Sequence, residues 1–532
     1  MNSVIYKKLW FLLFANAIFF IVLSIILPIR FEKNDDPLML MIASGSYSGT
    51  PDAHLVFINY IYGLFVVFLY THIKGIEWYS VLFSLVHIFS LTIISWKIIN
   101  ANKPKIRKYL FLLFFYLAEI SIILFFQFTT TAAICALAGI LLFISGGYFQ
   151  KIVGILLFTL ASLIRFDAAF LVLVVSSPIF LYEITQLWKT PKFKFLLLLM
   201  SLFILLPVGF KTIDKAIYNS NENWKYYKQY NYYRGAINDN PNAHNISLPL
   251  AVTEIDYGLF HYFFVDSNIF TLDVLENIYS TVKHSTITEK IVNIYPNSNG
   301  YRLYASLIFI FTLIQFFLVK DKINRIVLLL VSLLFLLTML YISLEAQMKF
   351  RVFMSALLAF TGSLFFLEEK KVKLRYRYLM YPFFIVFLFF FIKNVYNTRC
   401  SENNKVESII AQQNELFKSL DTFENCDIVV FFDGVKFEYY SPFDISNNIN
   451  NHSILCSGWL SSIPFNRGRF DSFLDIIDKN VIYLEKRYEK DAFVLIPQSI
   501  KEHYNIDVEI EVIKETADFE LFKIRSINKI KI

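Results

Sequence analysis

The chain has 532 residues, 56% of them hydrophobic and 17% charged, with a mean hydropathy of +0.51. Average soluble proteins carry about 25% charged residues, so this composition excludes a soluble globular protein and implies a polytopic membrane protein. The formal net charge of +7 sits in loops between apolar runs, where it sets membrane orientation; nucleic acid is not an expected partner.

Apolar runs fall at 9–29, 54–73, 77–96, 109–127, 130–147, 152–165, 167–183, 193–210, 301–319, 326–344, 350–367 and 378–396. A run of about twenty residues spans a bilayer. The first has no small-residue cleavage site and reads as an uncleaved helix. Lys7 and Lys8 predict a cytoplasmic N-terminus, and the loop carrying Lys97, Lys103, Lys105, Arg107 and Lys108 also belongs in the cytoplasm. Three runs lie between these basic groups. That number is odd, so one run does not cross.

The weakest is 54–73, which holds His54, Asn59, Tyr60, Tyr62 and His72. It reads as a helix in the outer interface. About eleven crossings then remain, and the loops 30–76 and 211–300 and the tail 397–532 face outward from the cell (inner) membrane. The runs 152–165 and 167–183 read as a hairpin with Arg165 and Asp167 at its outer turn, or as one broken helix. The 211–300 loop is expected to form short helices over the outer face.

In the tail the apolar stretches shorten to strand length at Asp427–Phe432, Val481–Leu484 and Phe493–Ile496. Residues 508–513 and 518–524 alternate like a hairpin, and a helix is expected near Arg469–Asp478. The predicted fold is an all-α polytopic membrane domain over 1–396 followed by an extracytoplasmic α/β domain over 397–532. Two of Cys400, Cys426 and Cys456 can pair outside the membrane, leaving one thiol over, and no cysteine spacing suits zinc.

Asp35 and Asp36 stand at the outer mouth of the first helix, just before Pro37. Adjacent like charges repel unless a cation, a metal or a shared proton is near. One reading is a general base for a hydroxyl nucleophile, or a pair holding a divalent cation. The other is acidic residues at a helix start. Asp52 and His54, on the same loop, either complete that site or mark a helix start at Thr50-Pro51-Asp52. Arg165 and Asp167 either pair with each other or touch a ligand. Lys349 and Arg351, at a late outer turn, either grip phosphate or anchor helix ends. Arg234, Glu254, Asp256, His261 and Asp266 are interleaved with aromatics in the long loop; a solvated loop is the simpler reading, a sugar cleft the other. No nucleotide-binding fingerprint occurs.

Together these pieces resemble the GT-C superfamily of membrane glycosyltransferases. The pieces are Asp35-Asp36, the stretch from Thr50-Pro51-Asp52-Ala53-His54 through Tyr70, Lys74-Gly75-Ile76-Glu77-Trp78, and the basic loop Lys97 to Lys108. Ser162 to Asp167 and Lys349-Phe350-Arg351-Val352-Phe353 match later parts of that layout. The resemblance covers roughly residues 1–400 as architecture, and adjacent aspartates replace the usual single acid or Asp-x-Asp. It implies inverting transfer of a sugar from a polyprenyl-phosphate donor to a glycan, lipid or protein acceptor at the outer face. An aspartate would act as base, Arg351 with Lys349 or Arg165 would hold the phosphate, and the only candidate cofactor is a divalent cation on Asp35 and Asp36. The alternatives are a polysaccharide polymerase joining lipid-linked units, a lipid-linked glycan flippase, and a non-catalytic scaffold.

Overall fold

Helix α1 (Asn2–Ile26) leads into a two-residue strand β1 (Arg30–Phe31), a short helix α2 (Asp35–Ser44) and α3 (Tyr60–His72). Then follow α4 (Trp78–Asn100), α5 (Lys105–Leu124), strand β2 (Phe125–Phe126), α6 (Phe128–Ser145), α7 (Tyr148–Leu187) and α8 (Phe193–Ser220). The computed structural model describes residues 2–188, 193–240, 248–282, 322–345, 348–367 and 401–420. It also describes 427–527 except 432–433, 446–453 and 457, and scattered residues of 312–319 and 382–397. Most of the runs expected at 301–319 and 378–396, together with Cys400 and Cys426, lie outside the described residues.

Five helices among the described residues are long and apolar enough to cross a membrane: Lys8–Ile26, Trp78–Asn100, Tyr148–Phe180, Phe193–Ser220 and Lys322–Leu344. The chain is thus largely helical, with helices of membrane-spanning length and a small C-terminal sheet. Polar contacts stitch the bundle. Asn16 donates to Thr92 at 3.0 Å and accepts from the Tyr116 hydroxyl at 2.7 Å, the interhelical hydrogen bonding that helps join helices in lipid.

Helix α7 is one helical stretch broken at Arg165, whose φ of −154° and ψ of 102° are not helical. The rings of Phe158 and Phe170 lie 6.0 Å apart. Twelve residues along a straight helix would separate them by about 18 Å, so the chain doubles back. The two arms form the hairpin that the charges at Arg165 and Asp167 predict.

Helix α3 differs from its expected extent. The run 54–73 is helical only from Tyr60, because the Asn59 side chain caps the first turn by accepting from the Ile61 N–H at 3.0 Å. Residues 45–59 have no regular structure, and Val56 sits at φ 63°. The helix start expected at Thr50-Pro51-Asp52 therefore falls at Tyr60. With 13 residues, α3 is about 20 Å long, short of a hydrocarbon core of about 30 Å.

The ends of the bundle differ chemically. At one end Lys103 and Arg107 donate to the last carbonyls of α13 (Phe350–Phe366), at Leu364, Phe366 and Leu367, and Lys97 reaches Gln150 at 2.7 Å. At the other, β1 and β2 pair in parallel, Arg30 with Phe125 and Phe31 with Phe126. Helices α9 (Glu222–Asn238), α10 (Glu254–His261) and α11 (Leu272–Thr281) occupy the long loop beyond α8. Helix α12 (Lys322–Glu345) precedes α13.

The tail holds α14 (Asn403–Leu420), β3 (Ile428–Val430), β4 (Ile454–Cys456), β5 (Val481–Glu485), α15 (Glu489–Tyr504), β6 (Val508–Glu515) and β7 (Phe519–Ser526). Its sheet runs β4-β3-β5-β7-β6, parallel over the first three strands and antiparallel after. The β6–β7 hairpin matches the alternating pattern. The strand expected at Phe493–Ile496 is instead helix. Glu489 and Asp491 start it, Lys501 and His503 end it, and Asn505 closes it in the left-handed region, all favourable helix-end chemistry. The helix expected near Arg469–Asp478 reduces to a single 3-10 turn at Phe473–Asp475. One apolar core runs without a break from α2, α4 and α6 to Val481, Tyr483 and Leu521 of the sheet.

Candidate active site

The site begins where β1 hands over to α2. Asn34, before the helix, is held by the tail: it donates to the Val435 carbonyl at 3.2 Å and accepts from the Glu438 N–H at 3.1 Å. Asp35 and Asp36 fill the first turn of α2, where carboxylates complement the helix dipole. Successive helical residues point about 100° apart, so the two aspartates part company.

Asp36 turns inward and is fully buried. Its Oδ1 accepts from the Tyr79 hydroxyl at 2.8 Å and the Phe128 N–H at 3.1 Å, while Oδ2 has no partner among the described residues. Burial drives its carboxyl well above the usual carboxylate range, against the two hydrogen bonds. Asp36 thus ties α2, α4 and α6 together behind the site.

Asp35 turns into a cleft of about 880 Å³. It is lined by Glu32, Asp35, Phe128 and Arg165, by Lys349 and Arg351, and by Asn231, Arg234 and Asn238 of α9. The tail closes it with Val435, Phe437, Gly458 and Trp459. Arg351 lies 3.3 Å from Glu32 and 3.9 Å from Asp35. Arg165, placed here by the α7 break, packs over the rings of Phe57 and Phe128 at 5.7 and 5.3 Å. It donates to the Phe57 carbonyl at 3.3 Å and pairs with Asp167 at 3.4 Å. Lys349 is exposed at the rim.

Five of the sequence candidates therefore meet in one cleft: Asp35, Arg165, Arg234, Lys349 and Arg351. Asp36 lies behind it, so the two aspartates do not face the cleft together. Among the described residues no group of three or more His, Cys, Asp or Glu side chains gathers as metal ligands. Asp52 and His54 pair with each other at 2.7 Å. His54 stacks on Trp224 at 4.3 Å, and neither residue lines the cleft. Asp167 is largely exposed and touches the site only through Arg165.

In the long loop, Asp256 and Asp266 are tethers and not site residues. Asp256 accepts from Ser499 and contacts His503, both at 2.6 Å, and Asp266 accepts from Tyr504 at 2.6 Å and Phe473 N–H at 2.8 Å. Arg234, expected to be solvated, is buried. The sequence reading passed over Glu32, Asn231, Asn238 and Trp459. The spacing of Asn231, Arg234 and Asn238 on one helical face was the available signal for α9. Nothing local marks Trp459, which reaches the cleft through tertiary packing.

Comparison with known family models, curated proteins and solved structures returns no match. The chemistry of the cleft is what bears on function. It sets Asp35 and Glu32 beside fixed cations in a walled space of ligand size.

Proposed function

We propose that this chain is an inverting membrane glycosyltransferase of GT-C type that takes a sugar from a polyprenyl-phosphate donor. The acceptor is a hydroxyl of a cell-surface glycan, lipid or protein. In this reading about eleven helices cross the cell membrane, the N-terminus is cytoplasmic, and the cleft and tail lie outside. The orientation follows from Lys97, Lys103 and Arg107 at the end of the bundle opposite the cleft, since basic loops stay inside.

The observation that carries the reading is the meeting of Asp35 with Arg165, Lys349 and Arg351 around one cleft. Asp35 accepts the proton of the acceptor hydroxyl as its oxygen bonds to the anomeric carbon. The bond from that carbon to the phosphate oxygen breaks with inversion, and the carrier leaves as its phosphate. Arg351, with Lys349 and Arg165, balances the charge developing on that phosphate without rearranging. Asp36 is a positioning residue: through Tyr79 and Phe128 it fixes the helix that aims Asp35.

The test uses membranes carrying the full-length chain and a radiolabelled polyprenyl-phosphate sugar. Asp35→Asn is expected to cut transfer by about a hundredfold or more, the usual scale for losing a general base. Asp36→Asn, which keeps an acceptor for Tyr79 and Phe128, should stay within about tenfold of wild type. Unchanged transfer in the Asp35 variant overturns the reading. The approach of Arg165, Arg234 and Arg351 to the same cleft favours one second reading, a polymerase joining lipid-linked repeat units. That activity yields a ladder of whole repeats, whereas a transferase adds one sugar.

A further inference from the structure

Arg234 is 6% exposed, yet among the described residues no carboxylate pairs with it. Its Nε and Nη2 donate to Asn231 Oδ1 at 3.3 and 3.0 Å, and its guanidinium lies 5.6 Å from the Phe263 ring. Among the described residues Nη1 has no hydrogen-bond partner. A buried cation without a direct ion pair is costly, because its lost hydration is not fully replaced. Burial accordingly lowers the basicity of Arg234.

One turn further on, both amide atoms of Asn238 are shielded from solvent and, among the described residues, unpartnered. Arg234, Asn231 and Asn238 line the cleft together with Phe263 and Trp459. Phe263 holds its place at a left-handed φ of 57°, a conformation bulky residues rarely adopt. Unsatisfied polar groups on one wall of a cleft are an arrangement that a ligand completes.

We propose that this face of α9 is a second subsite, which binds the carboxylate of an acidic sugar residue in the acceptor glycan. The planar fork of Arg234 matches a carboxylate edge to edge. The amides of Asn231 and Asn238 suit ring hydroxyls, and Phe263 and Trp459 offer flat apolar faces. The subsite is separate from the phosphate-holding group. The carboxylate acting on Arg234 is Asp239, whereas those acting on Arg165 are Asp167, Asp35 and Asp36. The role as acceptor rests on the glycosyltransferase reading, but the binding itself does not.

The experiment measures binding to the full-length protein in detergent by calorimetry. The probes are a glucuronate-containing tetrasaccharide, the same tetrasaccharide with its carboxyls reduced to alcohols, and inorganic pyrophosphate. Wild type is expected to prefer the acidic tetrasaccharide by about tenfold or more. Arg234→Gln should erase that preference, and Arg351→Gln should leave it intact. Arg234→Lys keeps the charge and guards against a folding failure; losing the fork, it should lose most of the preference. Equal binding of the two tetrasaccharides by wild type, or a preference that survives Arg234→Gln, overturns the proposal. So does loss of pyrophosphate binding in Arg234→Gln without loss of the sugar preference, which would assign the site to a carrier diphosphate. Asp35→Asn should cut transfer by about a hundredfold or more and leave the binding preference unchanged, so the two proposals fail separately.

Discussion

Two buried carboxylates show how a single side chain's surroundings set its role. Asp36 receives two donors and joins three elements. Glu520 on β7 is 2% exposed, its Oε1 unpartnered among the described residues, and burial, with Glu489 adding repulsion, lifts its carboxyl from 4.5 to about 7. Between those two values the folded state holds a proton that the unfolded chain has released. The native state then binds more protons, and stability falls as pH rises through that window. Glu520→Gln removes the effect. In detergent, the variant should melt several degrees above wild type at pH 8 and level with it near pH 4. A gap of the same size at both pH values would rule out Glu520 as its source. The adjacent pair Asp35-Asp36 was legible in the sequence as a site, but its division into one cleft residue and one buried strut was not. That division depends on where the turn of α2 meets Tyr79 and Phe128, residues 43 and 92 positions away.

At the level of elements, α6 and the first arm of α7 pack almost backbone to backbone. A Cβ on Gly139 would stand 2.7 Å from the Gly154 carbonyl oxygen, and one on Gly154 would stand 2.6 Å from that of Gly139. Small residues permit this approach in membrane helices. Gly154→Leu should force the pair apart at a cost of roughly 1–3 kcal/mol or more. Its Tm in detergent should fall and the aim of Arg165, at the end of that arm, should be disturbed. Gly209→Ala in α8 has nothing within 4 Å of its new Cβ and serves as a neutral control; equal Tm losses in both would discount the packing argument. The hairpin itself was readable because charges at Arg165 and Asp167 interrupt an apolar run. The apolar run Phe493–Ile496 was misread because four such residues fit strand or helix equally. The deciding features, the acidic start and the Asn505 end, lie outside the run.

The fold of the whole molecule rests on which helices cross, and α3 decides the parity. Its 13 residues reach about 20 Å, and its start is pinned by Asn59, whose amide also donates to the Phe210 carbonyl at 3.0 Å. The Tyr60 N–H donates to Asp214 at 2.8 Å, so α3 begins on the same side of the bundle as the upper end of α8. At its other end Tyr70 donates to Glu77 at 3.0 Å, and Trp78 starts α4 five residues after Ile73, whose carbonyl accepts from the Trp78 indole at 2.8 Å. The C-terminal end of α3 is thus joined directly to the start of α4. Asp36 and Tyr79 fix that start beside the cleft. Both ends of α3 then stay near the cleft face, and α4 alone makes the passage to the basic loop. Single cysteines at Thr50, Lys74 and Asn102, each exposed, test this in intact cells with a membrane-impermeant thiol reagent and the four native cysteines replaced. Thr50→Cys and Lys74→Cys should label from outside, and Asn102→Cys only after the membrane is opened. Labelling of the first two from opposite sides would make α3 a crossing, invert every later helix, and move the tail away from the outer face.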